Sequence, residues 1–306
     1  MVKSLVLQID AIETLNFKLD SSLYFAKEFQ KNKYKIYYYT PENLSLKDEK
    51  VYANGYEVKL LDKAPFFKKV RKTKIMLDEV DVILIRQNPP FDMAYITTTY
   101  ILERIRNNVR IINDPTAIRN NVEKLITYEF PKYILPSIIT FDEKELLAFF
   151  KKHKKVIVKP LYGFGGRDLQ LIESEAALKK YTRNLTKEKI NFVMQKFCKD
   201  VLTKGDKRVL FIAGKVVGVL NKKAAPNKIV TNIAAGGTAV VSKLSAKEEK
   251  LCKEIGKFLV KNNIMLAGAD IVSGYLLEVN ITSPTMFKMY ADITGEKLAE
   301  RFFRAF

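Results

Sequence analysis

The sequence predicts an α/β domain with a mostly parallel sheet, followed by an α+β domain. Three observations predict it. Apolar, strand-like runs alternate with helical patterns as far as about residue 113; beyond about Asp114 the strands come as hairpins mixed with helices; and 306 residues make roughly two domains at about 150 residues each. The boundary is placed between residues 119 and 120. Neither an internal repeat nor a low-complexity linker interrupts the chain.

In the first domain, Lys3 to Ile9 reads as an apolar strand. Asp20-Ser21-Ser22 is a helix start, small polar caps ahead of Leu23, Phe25, Ala26 and Phe29 at helical spacing. Tyr34 to Tyr39 is a second strand, rich in β-favouring residues. Asn54-Gly55, between Lys50-Val51-Tyr52 and Tyr56-Glu57-Val58, is a hairpin turn signal. Val82 to Ile85 is a buried-type strand ending at Arg86, before the stiff loop Gln87-Asn88-Pro89-Pro90-Phe91-Asp92. A helix through Tyr100-Ile101-Leu102 and a strand at Arg110 to Asn113 complete the alternation. Parallel sheets bind ligands beyond the carboxyl ends of their strands, where Arg86 falls.

In the second domain a helix is expected over Asn121-Val122-Glu123-Lys124-Leu125, then a strand near Pro136 and a helix capped by Asp142. The strand Lys155 to Pro160 leads into the glycine-rich Leu161-Tyr162-Gly163-Phe164-Gly165-Gly166, followed by a short strand, a helix and a strand at Phe192 to Gln195. Asp206 to Leu220 alternates like a hairpin around Ala213-Gly214. Ser245-Ala246-Lys247-Glu248 is a capping box opening a long amphipathic helix, and Ile271 to Leu276 is another hairpin.

Composition narrows the chemistry. The net charge is +19, but only 11 of the 53 basic residues are arginine. Phosphate forks and base edges are read mainly by arginine, so a solvated lysine surface with an attraction for small anions is expected in place of a nucleic-acid site. The single histidine, His153, lies in the run Lys151 to Lys155 and is expected to be solvated; it supports neither a histidine metal cage nor a Ser-His-Asp triad. Cys198 and Cys252 are too few for a disulfide framework, and the apolar start is too short for a signal peptide. A cytoplasmic protein without membrane association is expected.

Two constellations carry chemistry. Val158-Lys159-Pro160 leads into Gly163, Gly165 and Gly166; side-chain-free residues let main-chain N–H groups close over phosphate oxygens, to which a lysine at the strand end adds a point charge. A ligand-free glycine-rich hairpin fits the same residues. The second is Asp270, Glu278 and Asn280 across a hairpin. Residues two apart on a strand share a face, and a paired strand brings Asp270 beside them. Two carboxylates and an amide oxygen form a hard site suited to Mg²⁺ shared with phosphates, although such residues also solvate a sheet face.

Together with Asp20-Ser21-Ser22, Arg86 to Asp92, Thr99 to Arg104, Asn121 to Leu125, Gly205-Asp206-Lys207-Arg208-Val209, Asn232 to Gly237 and Glu278-Val279-Asn280-Ile281-Thr282-Ser283-Pro284-Thr285, these residues run in an order that resembles the bacterial glutathione synthetases of the ATP-grasp superfamily. The resemblance covers nearly the whole chain. It implies a Rossmann-like N-terminal domain (1–119) and an ATP-grasp domain (120–306) with a lid subdomain at about 121–195. It further implies that Lys124 and Lys159 hold ATP phosphates under the loop Gly163 to Gly166, that Gln195-Lys196-Phe197 meets adenine, and that Asp270, Glu278 and Asn280 bind Mg²⁺, with Mn²⁺ as a substitute. Arg208 and Lys222 fall near the transferring phosphate. Ser21, Arg86, Gly236, Gly237, Ser283 and Thr285 fall on the peptide substrate's carboxylates. The activity implied is ATP-dependent joining of γ-glutamylcysteine and glycine through an acyl phosphate, in a homo-oligomer.

The chain departs from that family at several positions. Val230-Thr231-Asn232 stands where the family reads Arg-Gly-Asn, Thr238 replaces a further arginine, and Lys222 stands for a third. Lys222, Lys223 and Lys228, expected in one loop, are the available cations. A related ligase with another amino acid or peptide substrate, and a weakly active nucleotide-binding relative, are the alternatives these positions raise.

Overall fold

The computed structural model describes residues 3–163, 169–188, 190–225, 231 and 236–306. Its first layer is a seven-stranded sheet of β1 (Ser4–Gln8), β2 (Lys35–Tyr39), β3 (Leu44–Lys47), β4 (Lys50–Leu60), β5 (Phe67–Met76), β6 (Val82–Ile85) and β7 (Arg110–Ile112). The order is β3-β4-β2-β1-β6-β7, with β5 also paired to β4; β2, β1, β6 and β7 run parallel. Strands in the middle of a parallel sheet are covered on both faces and so read as unbroken apolar runs. Leu5, Leu7, Val82 and Leu84 pack on α1 (Ser21–Lys31) through Leu23, Phe25 and Phe29. Val6, Ile83 and Ile85 point the other way, onto Tyr95 and Leu102 of α2 (Met93–Glu103) and onto Ile118 of α3 (Pro115–Asn120). The Asp20 side chain caps α1 by accepting from Leu23 N at 2.7 Å, and Asp92 caps α2.

Two expected elements are different. Asn54-Gly55 is no turn: β4 runs straight through it. A Cβ on Gly55 would lie 2.3 Å from the main-chain oxygen of Tyr38, so the glycine is there for the close approach of β2. The helix expected over 121–125 ends early, because Asn121 is extended (φ −118°, ψ 91°), and a 3₁₀ turn, Ile126–Glu129, follows.

A second, four-stranded sheet has the order β10-β9-β11-β8, from β8 (Ser137–Ile138), β9 (Val156–Pro160), β10 (Gln170–Ile172) and β11 (Phe192–Lys196). The helices α4 (Glu143–His153) and α5 (Glu175–Lys187) cover one face, where Val156, Val158, Phe192 and Met194 meet Leu146, Phe150, Leu178 and Leu185. The alternate residues Ile157, Lys159 and Gln195 therefore face away from these helices. His153, expected solvated, is half-buried with its ring 4.5 Å from that of Phe149.

The last layer follows a short helix, α6 (Asp200–Lys204). It is a five-stranded antiparallel sheet, order β14-β13-β12-β15-β16, built from β12 (Asp206–Ile212), β13 (Lys215–Lys223), β14 (Thr238–Val241), β15 (Leu266–Val272) and β16 (Tyr275–Asn280). The expected capping box at Ser245 opens α7 (Ala246–Lys261). Val209, Phe211, Ala267, Ala269 and Val279 pack on α7 through Leu251, Ile255 and Leu259, and Ile126 and Phe130 join that core. On the opposite face Leu210, Leu220 and Leu266 pack into the core shared with α1, α8 (Phe287–Thr294) and α9 (Leu298–Arg304). That face is apolar only at one end. Among the described residues no helix is long and apolar enough to cross a membrane.

Candidate active site

The other end of the same face is charged, for a reason of register. In β12 and β15 the residues that alternate with the α7-facing positions are Asp206, Arg208, Gly268 and Asp270. Pairing places Arg208 opposite Asp270 and Asp206 opposite Lys222. On β16 Glu278 lies opposite Asp270, and Asn280 opposite Gly268. Six polar side chains are thus set on one sheet face by β-geometry alone.

Their contacts are specific. Arg208 donates Nε to Asp270 Oδ1 at 2.6 Å and Nη2 to Oδ2 at 2.9 Å, a bidentate fork. Lys222 Nζ sits 2.8 Å from Asp206 Oδ2 and 3.0 Å from Asp270 Oδ2. Burial opposes ionisation of Asp270, but Arg208 and Lys222 outweigh it and hold this carboxyl far below the usual carboxylate range. For Asp206 burial wins and its pKa rises despite Lys222. Gly268 makes the fork possible: a Cβ there would lie 2.9 Å from Arg208 Cδ and 3.2 Å from Nη1. Asn280 donates Nδ2 to Gly268 O at 3.2 Å, which turns its amide oxygen the other way.

This face and the helix-free face of the four-stranded sheet bound a cavity of about 840 Å³ that also reaches the N-terminal domain. Lys159 reaches across from β9, Nζ 3.4 Å from Leu277 O. Burial, opposed by Glu278, pushes its pKa down to about 8. Lys124 donates to Leu161 O at 3.3 Å and to Gly163 O, lying where the glycine-rich loop begins. Gln195, Lys196 and Phe197 line the cavity, as do the apolar Leu135, Ile157 and Leu277. Lys196 N donates to Pro136 O and Phe197 N to Lys155 O.

At the far end Arg86, expected at the carboxyl edge of β6, is 4% exposed. It donates Nε to Ser22 Oγ at 3.1 Å and Nη2 to Pro284 O at 2.8 Å, while Nη1 and the neighbouring Ser21 Oγ have no hydrogen-bond partner among the described residues. Buried donors left open in this way suit an anionic ligand group. Burial lowers the Arg86 pKa to about 10, against the pull of Asp20. Ser283 donates to Arg86 O at 3.2 Å, and Ser283 and Thr285 line the same end.

The expected site residues Lys124, Lys159, Gly163, Gln195, Lys196, Phe197, Arg86, Arg208, Lys222, Ser283, Thr285, Asp270, Glu278 and Asn280 all line this one cavity. Ser21 does not line it; it is buried, next in the chain to the Ser22 that Arg86 contacts. Gly236 and Gly237 do not line it, and Gly165, Gly166, Val230 and Lys228 fall outside the described residues. Lys222 and Lys223 are not in a loop: they end β13, Lys222 buried and Lys223 exposed, because alternate strand residues face opposite ways. Thr238 is exposed on β14.

Two functional-looking groups escaped the sequence reading. Asp206 alternates with Arg208, a signal that was there to use. Glu123 carries no such signal, and its contacts are long-range: its Oε1 accepts from Ile281 N, Thr282 N and Thr282 Oγ1 at 2.8, 3.1 and 2.9 Å. Among the described residues no cluster of three or more His, Cys, Asp and Glu groups is placed to hold a metal ion. The donors Asp270, Glu278 and Asn280, two carboxylates and an amide, still offer the hard oxygen chemistry that Mg²⁺ takes alongside phosphates.

Comparison with known proteins agrees with this architecture. The model of the prokaryotic glutathione synthetase N-terminal domain matches residues 4–119, and that of the prokaryotic glutathione synthetase ATP-grasp domain matches residues 123–295. The glutathione synthetase of Mesorhizobium japonicum is 37% identical over 100% of this chain and 98% of its own length. That of Brucella melitensis is 36% identical over 100% and 98%. Among solved structures, a D-cycloserine synthetase superposes with a TM-score of 0.69 at 13% identity, covering 99% of this chain and 98% of its own. The D-alanyl-alanine synthetase A of Vibrio cholerae gives 0.64 at 13%, covering 100% and 98%. An ATP-grasp ligase complexed with its minimal precursor, Mg and ADP gives 0.63 at 13%, covering 100% and 98%.

Proposed function

The chain belongs to the prokaryotic glutathione synthetase family of ATP-grasp, ATP-dependent carboxylate–amine ligases, and on that premise we propose which of its residues carry the reaction. One observation carries the reading: Lys124, Lys159, Arg208 and Lys222 converge on a single cavity that also holds Asp270, Glu278 and Asn280 and ends at the open guanidinium of Arg86.

The donor is γ-glutamylcysteine, the acceptor glycine. The donor's carboxylate takes the γ-phosphoryl group of ATP, the glycine amine attacks the acyl carbon of that acyl phosphate, and glutathione, ADP and phosphate are released. Such chemistry asks the protein for positioning and charge stabilisation and needs no nucleophilic side chain. Lys124 and Lys159 hold phosphate oxygens beside Gly163, and Gln195 to Phe197 flank the adenine. Arg208 and Lys222 stabilise the transferring phosphoryl group, Lys222 as a cation held between Asp206 and Asp270. Asp270, Glu278 and Asn280 would hold the divalent metal, Mg²⁺ or in its place Mn²⁺, which when bound neutralises phosphate charge. Arg86 through Nη1, with Ser21, Ser283 and Thr285, orients the peptide carboxylates.

A cytoplasmic setting belongs to the same reading and is supported by the two cysteines, both free, one on the cavity wall and one inside α7. So does a homo-oligomer, which light scattering on the purified chain tests directly. The decisive assay is ADP release with Mg²⁺, ATP, γ-glutamylcysteine and each of the twenty amino acids. Release with glycine and only in the presence of donor is expected; release that ignores glycine overturns the acceptor assignment.

A further inference from the structure

We propose that Glu123 is a positioning residue that ties the nucleotide half of the active site to the donor half, by clamping the two residues that separate them on β16's exit. The proposal deepens the reading above and rests on it for the roles of Asn280 and Ser283.

Ile281 and Thr282 stand between Asn280, assigned to the metal, and Ser283, assigned to the donor. Nothing in β16 fixes them, since that strand ends at Asn280. Glu123 does so from another part of the chain. Its Oε1 receives both main-chain N–H groups and the Thr282 hydroxyl, and its own carbonyl accepts Val279 N at 3.0 Å. One residue therefore holds the chain from 279 to 282. On the opposite side Asn113 Nδ2 donates to Ile281 O at 2.7 Å, closing the clamp from the N-terminal domain. Glu123 precedes Lys124 in sequence, so whatever fixes this carboxylate also fixes the root of the lysine assigned to the phosphates. Three donors converging on one carboxylate oxygen are far more than a solvating surface glutamate collects, and Glu123 lines the cavity without reaching across it. Its role is exerted through Ile281 and Thr282, because catalytic groups held about 1 Å from their productive place lose on the order of a hundredfold in rate.

Glu123→Gln keeps the acceptor oxygen, Glu123→Asp withdraws it by one methylene, and Glu123→Ala removes it. Steady-state ADP release should leave the glutamine variant within a few-fold of the wild type. The aspartate and alanine variants should lose kcat by about tenfold and a hundredfold. Equal loss in the glutamine and alanine variants, or an aspartate variant as fast as wild type, overturns the clamp. Thermal melts identify an alanine variant that fails to fold, in which case the aspartate and glutamine pair decides. Amide hydrogen exchange on the ligand-free proteins gives a readout independent of the substrates: Ile281 and Thr282 should exchange faster in the aspartate variant than in the glutamine variant, and equal protection overturns the proposal. Should wild-type protein not turn over γ-glutamylcysteine and glycine, the substrate reading falls and this exchange comparison still decides the clamp.

Discussion

Arg208 and Asp270 face each other across two adjacent strands and meet through two parallel hydrogen bonds, with both side chains about nine-tenths buried or more. A pair of this kind contributes little by forming but much is lost when one partner goes, because the survivor is a buried, uncompensated charge. Here Asp270 also answers Lys222.

Asp270→Asn should therefore destabilise the ligand-free protein by about 3–5 kcal/mol, since it strips two buried cations of a shared counter-charge. Urea unfolding of the two proteins measures it. A loss below about 1 kcal/mol would show that Arg208 and Lys222 find other partners.

Gly268→Ala should reproduce part of that defect without touching a charge. The added methyl meets the Arg208 stem at 2.9 Å and displaces the fork. Lower stability and ADP release reduced by about tenfold or more are expected, at a residue with no polar side chain of its own. An unperturbed rate would refute the packing account.

Lys222→Met should lower kcat by about a hundredfold, whereas Lys222→Arg should retain most of it, since a cation is kept between Asp206 and Asp270. Single-turnover measurements separate this from an effect on binding. If the methionine variant turns over normally, Lys222 has only a structural part.

The pH dependence follows from Lys159. Burial pushes its pKa down to about 8, so the cation that would hold phosphate is present at pH 7 and lost as the pH passes that value. kcat/KM for ATP should fall above about pH 8, and Lys159→Arg, which does not titrate there, should flatten the fall. The same shift acts on stability with the opposite sign. Between about 8 and the ordinary lysine pKa the unfolded chain binds the proton more tightly, so this residue's burial penalty, full below pH 8, is relieved as the pH rises.

Glu278→Ala with Asn280→Ala should raise the Mg²⁺ concentration needed for half-maximal ADP release by an order of magnitude or more, because two of three proposed hard ligands are gone. A metal titration at saturating ATP reads this. An unchanged midpoint would remove these residues from the metal's coordination.

Much of the site was legible from local pattern. Glu278 and Asn280 are two apart in a strand that announces itself by alternation, and Gly163 follows a strand that carries Lys159 next to its last residue; spacing of this kind is local and survives folding. The misreadings were local too. Asn54-Gly55 carries the letters of a turn, yet Tyr38 lies against it, and only the approach of another strand explains the glycine. Asn121 to Leu125 has helical letters, but Glu123 and Lys124 are drawn out of a helix by partners about forty and more than a hundred and fifty residues away.

By itself the sequence determined the two-domain order, most strands and helices, and the residue types that a phosphate, a hard metal and a carboxylate require. Only the tertiary structure decided which of these charges face one another. The family resemblance marks Lys222 among the neighbouring lysines but puts it in a loop with Lys223; in the structure β13 pairs with β12 in a register that sets Lys222 against Asp206 and turns Lys223 outward. Register is a property of two strands at once, and burial then makes each such pairing costly to break. The +19 chain thus places six of its cations, Arg86, Lys124, Lys159, Lys196, Arg208 and Lys222, on one cavity, gathered by tertiary geometry that no single stretch of sequence contains.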